Sequence, residues 1–318
     1  MLTAMKTILV PIDYSDESQN ILAYALELAR TISADVIVFH AFFPIMSPPA
    51  SYNAADVVLA LEGGKRRELE QFTHKVKEVV AHTYCLHTSL VTDTATDRRI
   101  SDFDGVNISC IAKMGGPYEA IKQAIRKYNA DLVVMGMQEG EALSQALLGS
   151  TTISIMQVSH VPVLALPKGV TFKGLRSVLF AADLNKLPVG ADLRLLREFI
   201  KATQAKLQVL HLYRTQRQFE EFEAQDALDT LSRNFQGIDY DVSFDLSENV
   251  AAGIQKYVRE QQADLLVLIP QKHTLFERLL DKSVTGKITA HPLVPLLSLP
   301  PGMLQQAADA KEKALSEE

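Results

Sequence analysis

The sequence predicts an α/β protein of two tandem domains, each a five-stranded parallel sheet flanked by helices. Three observations carry this. The chain has 318 residues, and at roughly 100–200 residues per domain that length suits two. Its two halves repeat one pattern. Within each half, short continuous apolar runs alternate with amphipathic stretches, the order expected of strands buried on both faces and joined by helices.

The repeat is read residue against residue. Lys6-Thr7-Ile8-Leu9-Val10-Pro11-Ile12-Asp13 aligns with Arg176-Ser177-Val178-Leu179-Phe180-Ala181-Ala182-Asp183 at an offset of 170. Ala34–His40 aligns with Ala205–His211 at 171, and Asp131–Pro167 aligns without a gap with Asp264–Pro300 at 133. The first copy therefore carries 38 extra residues between its second and fourth strands. A period this long is a duplicated domain, not a solenoid. The expected boundaries are residues 1–168 and 173–300, followed by an acidic and polar tail over 301–318.

Each element of the first copy has its reason. Thr7–Ile12 is an uninterrupted apolar strand. Ser15 is placed to cap the next helix, Asp16 and Glu17 suit its positive end, and Ile21, Ala25, Leu28 and Ile32 form its buried stripe. Val36–Ala41 is the second strand and Asp56–Val80 a long helix. The polar stretch Thr92–Asp104 reads as an exposed loop within the insertion. Val106–Lys113, Asp131–Met135 and Val161–Leu166 are the remaining strands, with helices over Tyr118–Tyr128 and residues 150–158.

Composition excludes several functions. Lys and Arg total 32 against 38 Asp and Glu, so the basic surface a nucleic-acid binder needs is missing. The longest apolar runs, such as Leu265–Ile269, fall far short of the ~18–20 residues of a membrane span. Two cysteines cannot make a disulfide framework. With no signal-peptide layout at Met1–Ile12, the expected location is cytoplasmic. Neither a Gly-x-Ser-x-Gly elbow nor a His-Glu-x2-His helix is present, so those hydrolase chemistries have no support. His82, Cys85 and His87 form an incomplete ligand set, and no metal site is expected.

Ligands of doubly wound sheets collect at the carboxyl ends of the strands. Asp13 closes the first strand after Pro11, and Gly136 closes the fourth. Gly140 follows, then Gly149-Ser150-Thr151 at a helix start, where bare backbone and amides can hold an anion. The plainer alternative makes the glycines turn residues and Ser150 a helix cap. His40 and His211 occupy equivalent strand ends, which favours a shared packing or hydrogen-bonding role over catalysis.

Ile8–Asp13 with Ser15, Asp131–Gly136, Leu148-Gly149-Ser150 and His160–Leu164 together resemble the universal stress protein family, in tandem over nearly the whole chain. The resemblance implies a Rossmann-like fold of the adenine nucleotide alpha hydrolase type and a role in stress response. It also implies ATP or AMP as ligand, with magnesium if ATP. The implied nucleotide-binding residues are Pro11, Asp13, Ala41, Gly115, Gly136, Gly140, Gly149, Ser150 and Thr151, with no catalytic residue and at most a slow ATPase. It further implies that the fifth strands, Val161–Leu166 and Leu293–Leu299, pair the two domains, and it leaves a homodimer of the whole chain open. The alternative is an interaction scaffold, or a sensor of another small ligand.

The sequence departs from the family's Gly-x2-Gly-x9-Gly-Ser/Thr pattern. Glu139 stands where the middle glycine belongs, and Glu141 follows. A carboxylate about 6 Å from a phosphate oxygen costs on the order of 1–3 kcal/mol at effective dielectrics of roughly 20–60. That is roughly 5- to 150-fold in affinity unless a metal ion or a lysine compensates. In the second copy Gly136 becomes Ile269, Gly140 becomes His273 and Gly149 becomes Lys282, while Asp183 and Ser283 remain. Pro270 also removes an amide. The second copy is therefore expected to be structural and not to bind nucleotide.

Overall fold

The computed structural model describes residues 5–43, 53–84, 88–93, 98–137, 149–188, 190–270 and 294–300. The first copy contributes β1 (Thr7–Pro11), α1 (Asp16–Ile32), β2 (Asp35–Phe42), α2 (Ala54–Tyr84), β3 (Thr88–Asp93), β4 (Arg98–Phe103), β5 (Val106–Met114), α3 (Pro117–Lys127), β6 (Leu132–Gly136), α4 (Ser150–Val158) and β7 (Val163–Leu166). The second contributes β8 (Ser177–Ala181), a 3-10 turn at Leu184–Lys186, α5 (Arg194–Thr203), β9 (Lys206–Tyr213), α6 (Gln216–Glu220), α7 (Gln225–Asn234), β10 (Tyr240–Leu246), α8 (Val250–Glu260), β11 (Leu265–Leu268) and β12 (Leu296–Ser298).

The chain forms two compact units. The first gathers the described residues of Met1–Met137 with Gly149–Ile155 and Lys168–Lys173. Its strands run in the order β6-β1-β2-β5-β4-β3. β6, β1, β2 and β5 are parallel, and Ile8, Leu9 and Val10 at the centre are wholly buried. The second unit takes Met156–Pro167 and the described residues from Gly174 onward. Its order is β10-β9-β8-β11-β12-β7, with the first five parallel. β12 then pairs antiparallel with β7, Leu296 opposite Ala165 and Leu297 opposite Leu164. β7 thus lies in the first repeat of the sequence but in the second unit of the fold.

One expectation is corrected. The stretch Thr92–Asp104 is not a loop throughout: β3 and β4 pair antiparallel, and β4 pairs antiparallel with β5 through Ile100–Ser109 to Phe103–Val106. The insertion extends the parallel sheet with a hairpin. The antiparallel register lets a polar, alternating segment form a strand, because such sheets can leave one face in water.

Local chemistry explains the elements that hold the parallel frame. Ser15 caps α1 by accepting a hydrogen bond from the Ser18 amide at 3.2 Å. The repeated Ala-Asp-Leu triplet has a purpose in both copies. Asp131 Oδ2 accepts from the amides of Lys6 and Thr7 at 2.9 and 3.0 Å, just before β6, and so fastens the start of β1. Asp264 Oδ2 accepts from Arg176 and Ser177 at 2.8 and 3.0 Å and does the same for β8.

Three helical glycines separate backbone from packing effects. A Cβ built on Gly63 or Gly64, inside α2, meets nothing within 4 Å. Gly253 in α8 is the reverse: its Cβ would lie 2.8 Å from Leu212 Cδ1 and from Ser247 Cβ and Oγ. Alanine in a helix interior gains up to about 1 kcal/mol over glycine. Gly63→Ala and Gly64→Ala are therefore expected to raise the melting temperature. Gly253→Ala is expected to lower it, because overpacking costs about 1–3 kcal/mol. Thermal unfolding of the three variants checks the sign directly.

Candidate functional site

The carboxyl ends of the parallel strands in the first unit bring the described ones among the sequence-predicted residues to one end of the sheet. Pro11 ends β1 opposite Phe39, Ala41 lies near the end of β2 opposite Lys113, and Gly136 ends β6. Gly115 follows β5, and its amide donates to the Phe42 carbonyl at 2.9 Å. Its φ of +144° favours glycine, and a Cβ there would meet nothing within 4 Å. Gly149 precedes α4, whose first turn carries Ser150 and Thr151. The Gly149 amide donates to the Met137 carbonyl at 2.5 Å, and Thr152 Oγ1 donates to the Gly136 carbonyl at 2.8 Å. These two bonds tie the end of β6 to the start of α4. Gly140, Glu139 and Glu141 lie outside the described residues, as do Cys85, His87, Lys272, His273, Lys282, Ser283 and the tail over 301–318.

Asp13 is a charged group at the end of β1 in this site. Its Oδ1 accepts from Ser18 Oγ at 2.7 Å and from the Ser15 amide at 3.0 Å, while its own amide donates to Ser18 Oγ at 3.1 Å. Burial raises its pKa, but these hydrogen bonds outweigh burial and hold the carboxyl below its ordinary value. Asp13 is thus an ionised acceptor at neutral pH, with Oδ1 engaged by protein donors.

Two features here were not legible from the sequence. Tyr14 sits at φ +66°, a conformation uncommon for a non-glycine residue. That turn sets its ring 4.4 Å from the His40 ring and 5.5 Å, edge-on, from Phe72 of α2. Its hydroxyl donates to the Lys65 carbonyl at 3.4 Å, and burial pushes its pKa upward. At the end of β5, Lys113 Nζ meets Glu62 Oε2 of α2 at 2.5 Å, and Glu62 Oε1 accepts from the Met114 amide at 3.2 Å. The only sequence signal for the first was a tyrosine after a strand-end aspartate. For the second there was none.

The paired histidines share one structural role. His40 Nδ1 lies 2.9 Å from the Ile12 carbonyl, and His211 Nδ1 lies 3.1 Å from the Ala182 carbonyl. Each ring therefore links the second strand of its repeat to the residue after the first. Burial lowers both pKa values below 6.5, against the opposing pull of those carbonyls. The unfolded chain then binds protons at these rings before the native chain does, so their contribution to stability is lost as pH falls below about 6.5. The melting temperature is expected to fall between pH 7.5 and pH 5.5, and a His40→Gln/His211→Gln double variant is expected to show a shallower dependence. Differential scanning calorimetry across that range measures both slopes.

In the second unit a cavity of about 480 Å³ opens at the ends of β8 and β9. It is bounded by Asp183, Lys186, His211, Arg214 and Phe222, with Ile254 of α8 against it. Asp183 is the counterpart of Asp13, and here it pairs with Lys186 Nζ at 3.2 Å.

Fold and site together define a class: a duplicated, mostly parallel α/β protein with an acidic residue after the first strand and a glycine-flanked helix start after the fourth. The universal stress protein family model matches residues 5–167, and the chain belongs to that family. It is similar to universal stress protein MJ0531 of Methanocaldococcus jannaschii, 26% identical over 167 residues that cover 51% of this chain and 82% of that protein. Universal stress protein MJ0577 of the same organism is 22% identical over 170 residues, 53% of this chain and 98% of that one. Among solved structures, a universal stress protein from Archaeoglobus fulgidus matches with a TM-score of 0.62 at 16% identity, over 94% of this chain and all of that one. The functionally unknown protein PA1789 from Pseudomonas aeruginosa matches with a TM-score of 0.54 at 14% identity, over 98% of each chain. These two likenesses show that the fold continues through both repeats.

Among the described residues, no helix is long and apolar enough to cross a membrane.

Proposed function

We propose that this chain is a cytoplasmic stress-response protein whose first repeat, residues 1–168, senses an adenine nucleotide. Its second repeat, residues 173–300, takes no nucleotide. The observation that carries this reading is the ionised Asp13, held by Ser15 and Ser18 at the end of β1. Its carboxylate is an acceptor suited to the exocyclic amine of adenine, and Ala41 and Gly115 offer small surfaces for base and sugar. Gly136, Gly149, Ser150 and Thr151 supply bare backbone and hydroxyls toward ribose and phosphate, and Gly140 belongs to the same set by its place in the sequence. ATP or AMP is the ligand, with magnesium accompanying ATP. Among the described residues of the site none has the placement of a general base, and the reading takes hydrolysis as at most slow.

Calorimetric titration of the intact protein with ATP, ADP and AMP, with and without magnesium, tests this. One equivalent of saturable binding supports the sensor. No heat and no thermal shift at millimolar nucleotide overturns it, and leaves the interaction scaffold as the working model.

A further inference from the structure

The second repeat lacks the glycines of a phosphate loop, yet the cavity at the ends of β8 and β9 is about 480 Å³. That is within the range of roughly 300–1,000 Å³ typical of small-molecule sites. We propose that this cavity binds a small planar carboxylate, a monoanion, with Arg214 holding the charge and Phe222 covering the flat apolar body.

The charge balance of the walls selects the class. Asp183 is matched by Lys186 at 3.2 Å, and Glu221 is matched by Arg217 Nε at 2.7 Å. Arg214 is the remaining charged group of the lining, and its side chain meets no carboxylate among the described residues. The lining itself has two acids and two bases, but Arg217, which stands outside it, takes Glu221. Arg214 is left, among the described residues, as one cation without a carboxylate partner, which suits one negative charge and is a poor match for a triphosphate. A guanidinium also presents two parallel donors to a carboxylate. The Arg214 amide donates to Gln218 Oε1 at 2.8 Å, which fixes the backbone that carries the side chain.

The floor is polar but neutral. His211 is 2% exposed, and its Nδ1 lies 3.1 Å from both the Ala182 carbonyl and the Leu184 amide, one of which it bonds according to its tautomer. Burial favours the uncharged ring, so it adds no second cation at neutral pH. The Phe222 ring lies 5.1 Å from the His211 ring at an interplanar angle of 30°. This near-parallel pair borders the cavity with an aromatic wall, which suits a flat ligand. The proposal is independent of nucleotide binding in the first repeat, and the test keeps the two apart.

The probe is benzoate, compared with its neutral analogue benzyl alcohol and with AMP, titrated into the full-length protein by calorimetry and by saturation-transfer NMR. Benzoate is expected to saturate near one equivalent and benzyl alcohol to bind roughly tenfold or more weakly. Arg214 is an exposed residue, so Arg214→Gln is expected to stay folded and to weaken benzoate by roughly tenfold or more. Gly136→Ile in the first repeat is expected to leave benzoate binding unchanged. Absence of benzoate binding at millimolar concentration overturns the proposal. So does equal affinity for benzyl alcohol, an Arg214→Gln variant that binds normally, or displacement of benzoate by Gly136→Ile.

Discussion

Gly136→Ile is expected to abolish adenine-nucleotide binding, with a loss of at least about 100-fold, or about 2.7 kcal/mol. The substitution reproduces what the second repeat already carries at the same register, Ile269. Gly136 ends β6, and its carbonyl is held by Thr152 Oγ1 in the first turn of α4. The backbone at that junction is therefore fixed and cannot retreat to make room for a side chain. A β-branched residue is at home at a strand end, so the fold is expected to survive. Calorimetry with AMP or ATP reads the affinity, and the melting curve confirms that the variant is native. A folded Gly136→Ile protein with unchanged affinity contradicts the proposed site.

The largest effect on stability is expected at Phe180. It lies in β8, the strand flanked on both sides in the second unit, opposite Val209 of β9 and Val267 of β11. Its side chain is 0% exposed. Phe180→Ala removes a whole ring from a site enclosed by paired strands, where little can collapse into the gap, and a loss of about 3–5 kcal/mol is expected. The repeat offers an internal comparison. The equivalent position in β1 is Val10, also 0% exposed, and Val10→Ala deletes only two methyl groups. At ~0.8 kcal/mol per buried carbon plus a small cavity, its loss is expected to be about half as large. Urea unfolding followed by circular dichroism gives both midpoints. Equal shifts contradict the argument.

The parallel frame was legible because its causes are local. Short, mainly apolar runs marked β1, β2 and β6, the repeat marked β8, and Ser15 followed by Asp16 and Glu17 marked the start of α1. The duplication supplied a second reading of the elements outside the insertion, and it aligned Asp131 with Asp264, which the structure shows making the same pair of hydrogen bonds. The β3–β4 hairpin was missed because Arg98–Asp102 is largely charged and polar, and its strand form depends on a partner chosen by topology. The site followed the same division. Asp13, Gly136 and Gly149 were candidates because of their positions at strand and helix ends, and the structure has them at those ends. The Tyr14 turn onto His40 and the Glu62–Lys113 pair were not, since each joins elements far apart in sequence.

The antiparallel bond between β7 and β12 bears on how the protein is made. Val163–Leu166 leaves the ribosome early, but its partner Leu296–Ser298 emerges only after nearly the whole second repeat has been synthesised. Throughout that interval the Val-Leu-Ala-Leu strand, buried in the finished fold, waits without its β12 partner. Non-local pairings are slow, and an unpaired apolar edge is what invites another chain to add to it. Nascent or truncated chains ending before β12 are therefore the species most in need of a chaperone.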